Sequence, residues 1–317
     1  MISPERCFAP SAPPPPANHS TDLDGDLAVV TSYFNPCGYR LRREHYDRFA
    51  ENLDRQGVPL FTVELTIRDR PAVLRQYPNV RILGSDQVLW HKERLLNLLI
   101  RSLPSRFDKV AWIDADVLLQ DPDWPAQVRE VLRRVPITQL FSELLLLDRL
   151  GHPFSKRQGV ASAAKRGHPG FHNLGHFHPG MAWAARRELI DCHGLLDNHV
   201  LGGADSVMVC AMFGWWDHPL IRAYHPSLQQ AMLRWGESFY CDVRGRVEAL
   251  PIRLTHLWHG DRAERKYVER IGWLARANFD PIADLDTDFQ GLWRWRRPES
   301  WIARRCEAYF KERREDG

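Results

Sequence analysis

Asp114 and Asp116 stand one residue apart in Trp112-Ile113-Asp114-Ala115-Asp116 and close a strongly apolar run. Two adjacent anions at a mostly buried strand end are costly unless a cation or good hydrogen bonds offset them. A hard divalent ion answers that need and would also bind a diphosphate. The plainer alternative is that one Asp caps the next helix and the other is solvated. A second group follows Pro179-Gly180-Met181-Ala182-Trp183: the paired glycines of Gly202-Gly203-Ala204-Asp205-Ser206. Glycines before an acid let backbone approach a ligand closely and set the acid near a positive helix end. Asp205 is thus a helix N-cap or a positioned base. The third group is Leu254-Thr255-His256-Leu257-Trp258-His259-Gly260, trailed by Arg262, Arg265, Tyr267 and Arg270. Its two histidines reach one ion or serve packing, and its arginines clamp phosphate or form a solvated face.

The elements that must position these residues follow from periodicity. LAVVTSYF from Leu27, PLFTVEL (59–65), VRILGS (80–85) and KVAWIDADVLL (109–119) read as strands. Helices are expected over 41–56, 86–102 and 124–135. Such alternation implies a mostly parallel sheet covered on both faces, with ligands bound outside the carboxyl ends of its strands. Farther on, ITQLFSEL reads as a strand, a strand is expected at 180–183 and a helix near 203–213. Between them 151–178 is polar, and its His168, His172, His176 and His178 suit an acceptor-binding loop better than a zinc site. The division expected is a Pro-rich leader over 1–25, a catalytic domain over 26–262 and a Trp/Arg-rich helical extension over 263–317.

Composition narrows the class. The chain has 317 residues, 44% hydrophobic and 26% charged, an ordinary globular balance with a core large enough to need no staples. Its 43 Lys+Arg against 40 Asp+Glu leave +3, which argues against a nucleic-acid coat without excluding a local basic face. No apolar run approaches the roughly 18 residues of a membrane span, and no secretory h-region opens the chain. The six cysteines are dispersed without a C-x-x-C pair, as in reduced, cytoplasmic proteins.

Taken in order, these pieces resemble the nucleotide-sugar glycosyltransferases of the GT-A fold. The stretch from Gly180 through Asp205 to His259 is most similar to the animal galactosyltransferases that build lactosamine. The resemblance implies that Asp116 binds metal, that Asp114 faces the ribose or the metal, that Asp205 is the base, and that His259 completes the metal site with His256 beside it. It also implies a nucleoside pocket lined by Val30, Thr31, Tyr33 and Asn35, and donor contacts from the 92–94 region, Arg94 above all, and from Arg262. Lys92 and Arg94 are alternatively exposed helix charges. Where that family has Trp-Gly-Gly-Glu-Asp-Asp, this chain has Leu201-Gly202-Gly203-Ala204-Asp205-Ser206, so the base position is kept while an acid that holds the sugar acceptor is not.

The activity implied is transfer of a sugar from a nucleoside diphosphate sugar, a UDP-sugar by the resemblance, to an acceptor hydroxyl, with inversion by Asp205. An Asp/His donor set points to Mn2+, with Mg2+ the alternative. The acceptor is a carbohydrate or another hydroxyl compound. The aromatic and Arg residues of 289–310 suggest helices docked on the domain, or else a face that stacks on a modified nucleic acid. Two other classes remain open: a two-carboxylate metal hydrolase of a nucleotide sugar or phosphodiester, and a binding protein without turnover.

Overall fold

A computed structural model describes residues 26–165 and 177–317. The leader over 1–25 and three of the four clustered histidines, His168, His172 and His176, lie outside the described residues. The first strand, β1 (Asp26–Phe34), alternates sharply: Ala28 and Val30 enter one apolar core, Leu27 and Val29 another. This is how a two-sided sheet reads in an almost wholly apolar strand. Helix α1 (Arg40–Arg55) covers the second core with Phe49 and Leu53. Strands β2 (Leu60–Ile67) and β3 (Val80–Ser85) extend the sheet in parallel, and α2 (Lys92–Ile100) lays Leu95, Leu96 and Leu99 on the first core.

Strand β4 (Phe107–Ile113) pairs with the other side of β1. The single strand expected over 109–119 is broken there. The chain leaves the sheet at Asp114, and β5 (Val117–Leu119) belongs to a second sheet. After α3 (Trp124–Arg134), the run read as one strand at 137–144 likewise divides, into β6 (Ile137–Gln139) in the first sheet and β7 (Glu143–Leu147) in the second. The polar 151–178 stretch is partly regular, with β8 (Pro153–Gly159), α4 (Val160–Lys165) and β9 (Phe177–His178).

Next come β10 (Ala182–Arg186), α5 (Arg187–His193), α6 (Ala204–Phe213), α7 (Pro219–Arg222), α8 (Pro226–Val243), β11 (Val247–Ala249) and β12 (Arg253–His256). The remaining elements are α9 (Tyr267–Arg276), α10 (Pro281–Asp284), the hairpin β13 (Leu285–Thr287) and β14 (Trp293–Trp295), and α11 (Trp301–Glu312).

The main sheet has seven strands in the order β11-β6-β10-β4-β1-β2-β3, and only β10 runs against the rest. This is the α/β architecture, a mostly parallel sheet with helices on its faces, that the alternation predicts. A five-stranded sheet, β5-β12-β7-β8-β9, stands beside it. The Trp/Arg-rich stretch shares the first core, because Cys306, Tyr309 and Phe310 of α11 pack in the same cluster as Val30 and Trp112. Among the described residues no helix is long and apolar enough to cross a membrane.

Candidate active site

Register brings the distant motifs together. At the carboxyl edge of β4 the Asp114 amide donates to the Met181 carbonyl at 2.8 Å, and Ala182 lies opposite Ile113, so the Gly180 segment abuts the Asp-Ala-Asp turn. Thr31 fixes that edge from the other side by donating to the Ile113 carbonyl at 2.7 Å. In the second sheet His256 lies opposite Val117, and the Leu257 amide donates to the Asp116 carbonyl at 2.9 Å. Strand pairing therefore sets His256 beside Asp116, and the turn that follows β12 carries His259 there.

The result is a compact donor set. His259 Nε2 is 3.1 Å from Asp116 Oδ2, and His256 Nε2 is 2.9 Å from His259 Nε2. Asp116 Oδ1 is buried without a hydrogen-bond partner, an expensive state for a carboxylate oxygen. An octahedral divalent ion with bonds of about 2.1 Å holds neighbouring ligands about 3 Å apart, which is the spacing seen here. The three side chains thus fit a cation. Burial pushes His256 down to about 3 and lowers His259, so both imidazoles are neutral at pH 7 with a lone pair to give. Burial opposes ionisation of Asp116, but His259, His256 and Arg42 hold it below the usual carboxylate range. Among the described residues a second Cys/His/Asp group, Cys192, His193 and Asp242, lies on other helices, with His193 Nε2 bonded to Asp242 at 2.7 Å.

The second part of the site is a lysine between two acids. Lys92 Nζ lies 2.7 Å from Asp114 Oδ1 and 3.6 Å from Asp205 Oδ2. Burial disfavours its charge, but Asp114 and Asp205 raise its pKa well above the ordinary lysine value. Lys92 is therefore a member of the cluster and not an exposed helix charge. Its neighbour Glu93 is buried and pushed up to about 8, desolvation outweighing the pull of Lys92. Asp114 is raised by burial to about 6, with Lys92 opposing and Asp116 adding. Asp205 is not the N-cap of α6; Gly203 is, at φ 99°, and Asp205 sits one residue inside the helix with 27% of its side chain exposed. Its carboxylate rests on Gly180, where a Cβ would lie 2.5 Å from Oδ2. Beside it Met181 takes φ 76°, a strained value for a side-chain-bearing residue.

A ring of groups supports His259; of these the sequence offered Arg265, as a phosphate clamp, and did not single out Glu315, Arg42 or Arg313. Arg265 packs its guanidinium against His259 Nδ1 and the His259 carbonyl, and donates to Glu315 at 3.0 Å. Glu315, only 1% exposed, also accepts from Arg42 and Arg313. His45 stacks edge-on to His259 at 6.3 Å and is pushed by burial down to about 4.

Other expected contacts are placed elsewhere. Val30 and Thr31 are buried inside β1, Val30 in the core and Thr31 bonded to the Ile113 carbonyl, so neither lines an open pocket. Tyr33 and Asn35 stand at the carboxyl end of β1, although Tyr33 is buried edge-on against Tyr46 and Asn35 closes a turn with Tyr39 through bonds of 2.8 and 2.9 Å. Arg94 is committed to the Gly291 carbonyl, to Asp197 at 3.1 Å and to the face of Trp293, so it braces the extension and does not join the acids. Arg262 is exposed over Tyr267, and Arg265 takes the inward place. Trp295, Tyr309 and Phe310 are buried, which removes them from any stacking face and leaves Phe289, 98% exposed, and Trp301, whose ring Arg276 covers. A nucleic-acid acceptor finds no support in this packing.

No family model and no curated protein matches the chain. Solved structures similar to it include the catalytic domain of Drosophila β1,4-galactosyltransferase 7 in complex with xylobiose, at 12% identity and TM-score 0.37, covering 84% of this chain and 91% of that one. Another is glucosyl-3-phosphoglycerate synthase from Mycobacterium tuberculosis in complex with Mn2+, UDP-glucose and phosphoglyceric acid, at 12% and 0.41, covering 87% and 88%. A third is 4-diphosphocytidyl-2C-methyl-D-erythritol synthase from Anaerococcus prevotii, at 9% and 0.38, covering 72% and 87%. At these values no residue role carries across, and function rests on the site's own geometry.

Proposed function

We propose that this chain is a metal-dependent glycosyltransferase that moves a sugar from a nucleoside diphosphate sugar, a UDP-sugar in the first instance, to an acceptor hydroxyl. The observation that carries the reading is the adjacency of two charge systems at one sheet edge. A half-buried Asp116–His256–His259 donor set stands beside a Lys92 that bridges Asp114 and Asp205. Asp116, His256 and His259 would hold the cation, which when bound would supply Lewis-acid stabilisation of the charge that grows on a departing diphosphate. Two imidazoles with one carboxylate suit Mn2+ better than Mg2+ or Ca2+, which prefer all-oxygen sites.

The chain's own residues do the rest. Lys92 Nζ, 3.6 Å from Asp205 Oδ2, holds that side chain at the site, where its carboxylate can accept the acceptor's hydroxyl proton. Once Asp205 is neutral, Lys92 retains Asp114 at 2.7 Å, so the proton transfer leaves no buried charge unpaired. A single base on one side of the sugar implies inversion at the anomeric carbon. Tyr33 and Asn35, at the end of β1, are the candidate nucleoside contacts.

The test is thermal shift with UDP-, GDP- and dTDP-sugars, with and without Mn2+, followed by product analysis with a panel of hydroxyl acceptors. We expect a Mn2+-dependent shift with one nucleotide class and acceptor-dependent consumption of that donor. Asp205→Asn should keep the shift and lose turnover by about 10²–10⁴-fold, the range for a general base. Donor consumption at an undiminished rate without acceptor would instead mark a metal hydrolase, and near-normal turnover in Asp205→Asn would remove the base assignment.

A further inference from the structure

Outside the proposed catalytic groups, the most heavily built polar feature is the Glu315 carboxylate. It is 1% exposed and faces three guanidiniums: Arg42 from α1, Arg265 from the turn after His259, and Arg313 from its own segment. Such an array is costly to bury, and one carboxylate under three cations is more than local neutralisation requires. What singles it out is where it points. Glu315 Oε1 lies 3.9 Å from His259 Nδ1, the ring nitrogen opposite the one that faces Asp116. Arg265 touches the same nitrogen and the His259 carbonyl while donating to Glu315. Tyr309 of α11 donates to the Arg265 carbonyl at 3.1 Å and accepts from Arg313 at 3.0 Å, so the array is braced from outside.

A metal-binding imidazole needs its proton on the nitrogen away from the metal, and a carboxylate beyond that nitrogen both fixes the tautomer and aims the ring. We infer that Glu315, held by Arg42, Arg265 and Arg313, is a positioning residue that directs His259 Nε2 into the cation site. This rests on the metal reading of Asp116, His256 and His259. The assignment requires Arg265 to give up its contact with His259 Nδ1, keeping its bonds to the His259 carbonyl and to Glu315, so that Nδ1 carries its proton toward Glu315 Oε1, 3.9 Å away. Sequence near this residue, Lys311-Glu312-Arg313-Arg314-Glu315-Asp316, reads as a solvated charge run, so only tertiary structure reveals the contact.

The experiment is Mn2+ binding by the full chain, read by electron paramagnetic resonance of free Mn2+ and by calorimetry, alongside metal-free melting. Glu315→Gln should weaken Mn2+ affinity by about 10–100-fold, the size seen when such partners are removed. Glu315→Asp, which keeps the charge facing the arginines but shortens its reach, should melt like wild type and bind Mn2+ at an intermediate strength. In a His259→Ala background Glu315→Gln should cause no further loss. Wild-type Mn2+ affinity in a cooperatively folded Glu315→Gln protein, or an equal loss with His259 already gone, would overturn the proposal. If Glu315→Gln does not fold, the Asp variant decides: unchanged affinity there overturns it. Wild-type protein that binds no Mn2+ overturns the underlying metal reading instead, and this inference with it.

Discussion

Gly180 shows how little room the candidate base has. Its backbone does not require glycine, since its φ is not among the positive values, yet a Cβ there would lie 2.5 Å from Asp205 Oδ2 and 2.8 Å from Asp205 Cγ. Real Cβ atoms do not sit that close, and Asp205 is held on its other side by Lys92, so the carboxylate would have to move. Gly180→Ala should therefore fold with a melting temperature close to wild type and lose turnover by about 10²-fold, the cost of roughly 1 Å of misplacement. Turnover near wild type, measured at saturating donor and Mn2+, would show that Asp205 does not need its present place. The types and spacings of Asp114, Asp116, Asp205 and the His256/His259 pair were legible in the sequence because their chemistry is unusual for their neighbourhoods. Lys92 was ambiguous, because a lysine at a helix start looks the same whether it faces solvent or two acids. Glu315 and Arg42 were hidden in charge-rich helical stretches, where burial cannot be inferred from type.

At the level of elements, α1 depends on a contact 276 residues away in sequence. Tyr39 at its N-cap offers no side-chain bond, and Asp316 accepts instead from the Arg40 and Leu41 amides, both at 2.9 Å. Tyr39 answers by donating to the Phe310 and Lys311 carbonyls at 2.9 Å. The first helix, which brings Arg42 and His45 to the site, is thus fastened to the last turn of α11 and to the chain just after it. Asp316→Ala should lower stability by about 1 kcal/mol, as loss of an N-cap does, measured by urea unfolding. Its Mn2+ affinity should stay within about threefold of wild type, in contrast to Glu315→Gln, because Asp316 touches the helix end and not His259. An unchanged unfolding midpoint would show that α1 needs no such cap. The same contacts explain what was illegible among the elements. The β-branched runs announced β1, β2 and β4, but an unbroken apolar run cannot say that its chain changes sheets at Asp114. Polar, exposed β8 carries no alternation to read, since its partner β7 holds it by backbone pairing.

For the molecule as a whole, the buried ionisable groups set a pH dependence with a definite sign. Burial lowers His45 and His178 to about 4 and His91, His199 and His256 to about 3. Unfolded, each would titrate near the ordinary histidine value of 6.5, so between pH 6.5 and 4 the unfolded chain binds protons that the folded one refuses. Stability from these groups is complete above pH 6.5 and is lost as pH falls. Glu93, raised to about 8, and Asp114, raised to about 6, act in the opposite direction: the penalty of burying their charge is relieved on acidification. The lowered histidines outnumber these two raised carboxylates, so unfolding takes up protons across that window. Metal-free protein should accordingly be most stable near neutrality and lose urea resistance steadily from pH 6.5 to 4.5. Among the five, His91 isolates the effect, because both its ring nitrogens are buried without partners and it stands apart from the metal donors on the α2 side, near Arg94. His91→Phe should flatten the slope by about one proton's worth, and a slope unchanged by that substitution would mean that His91 takes up its proton in the folded protein.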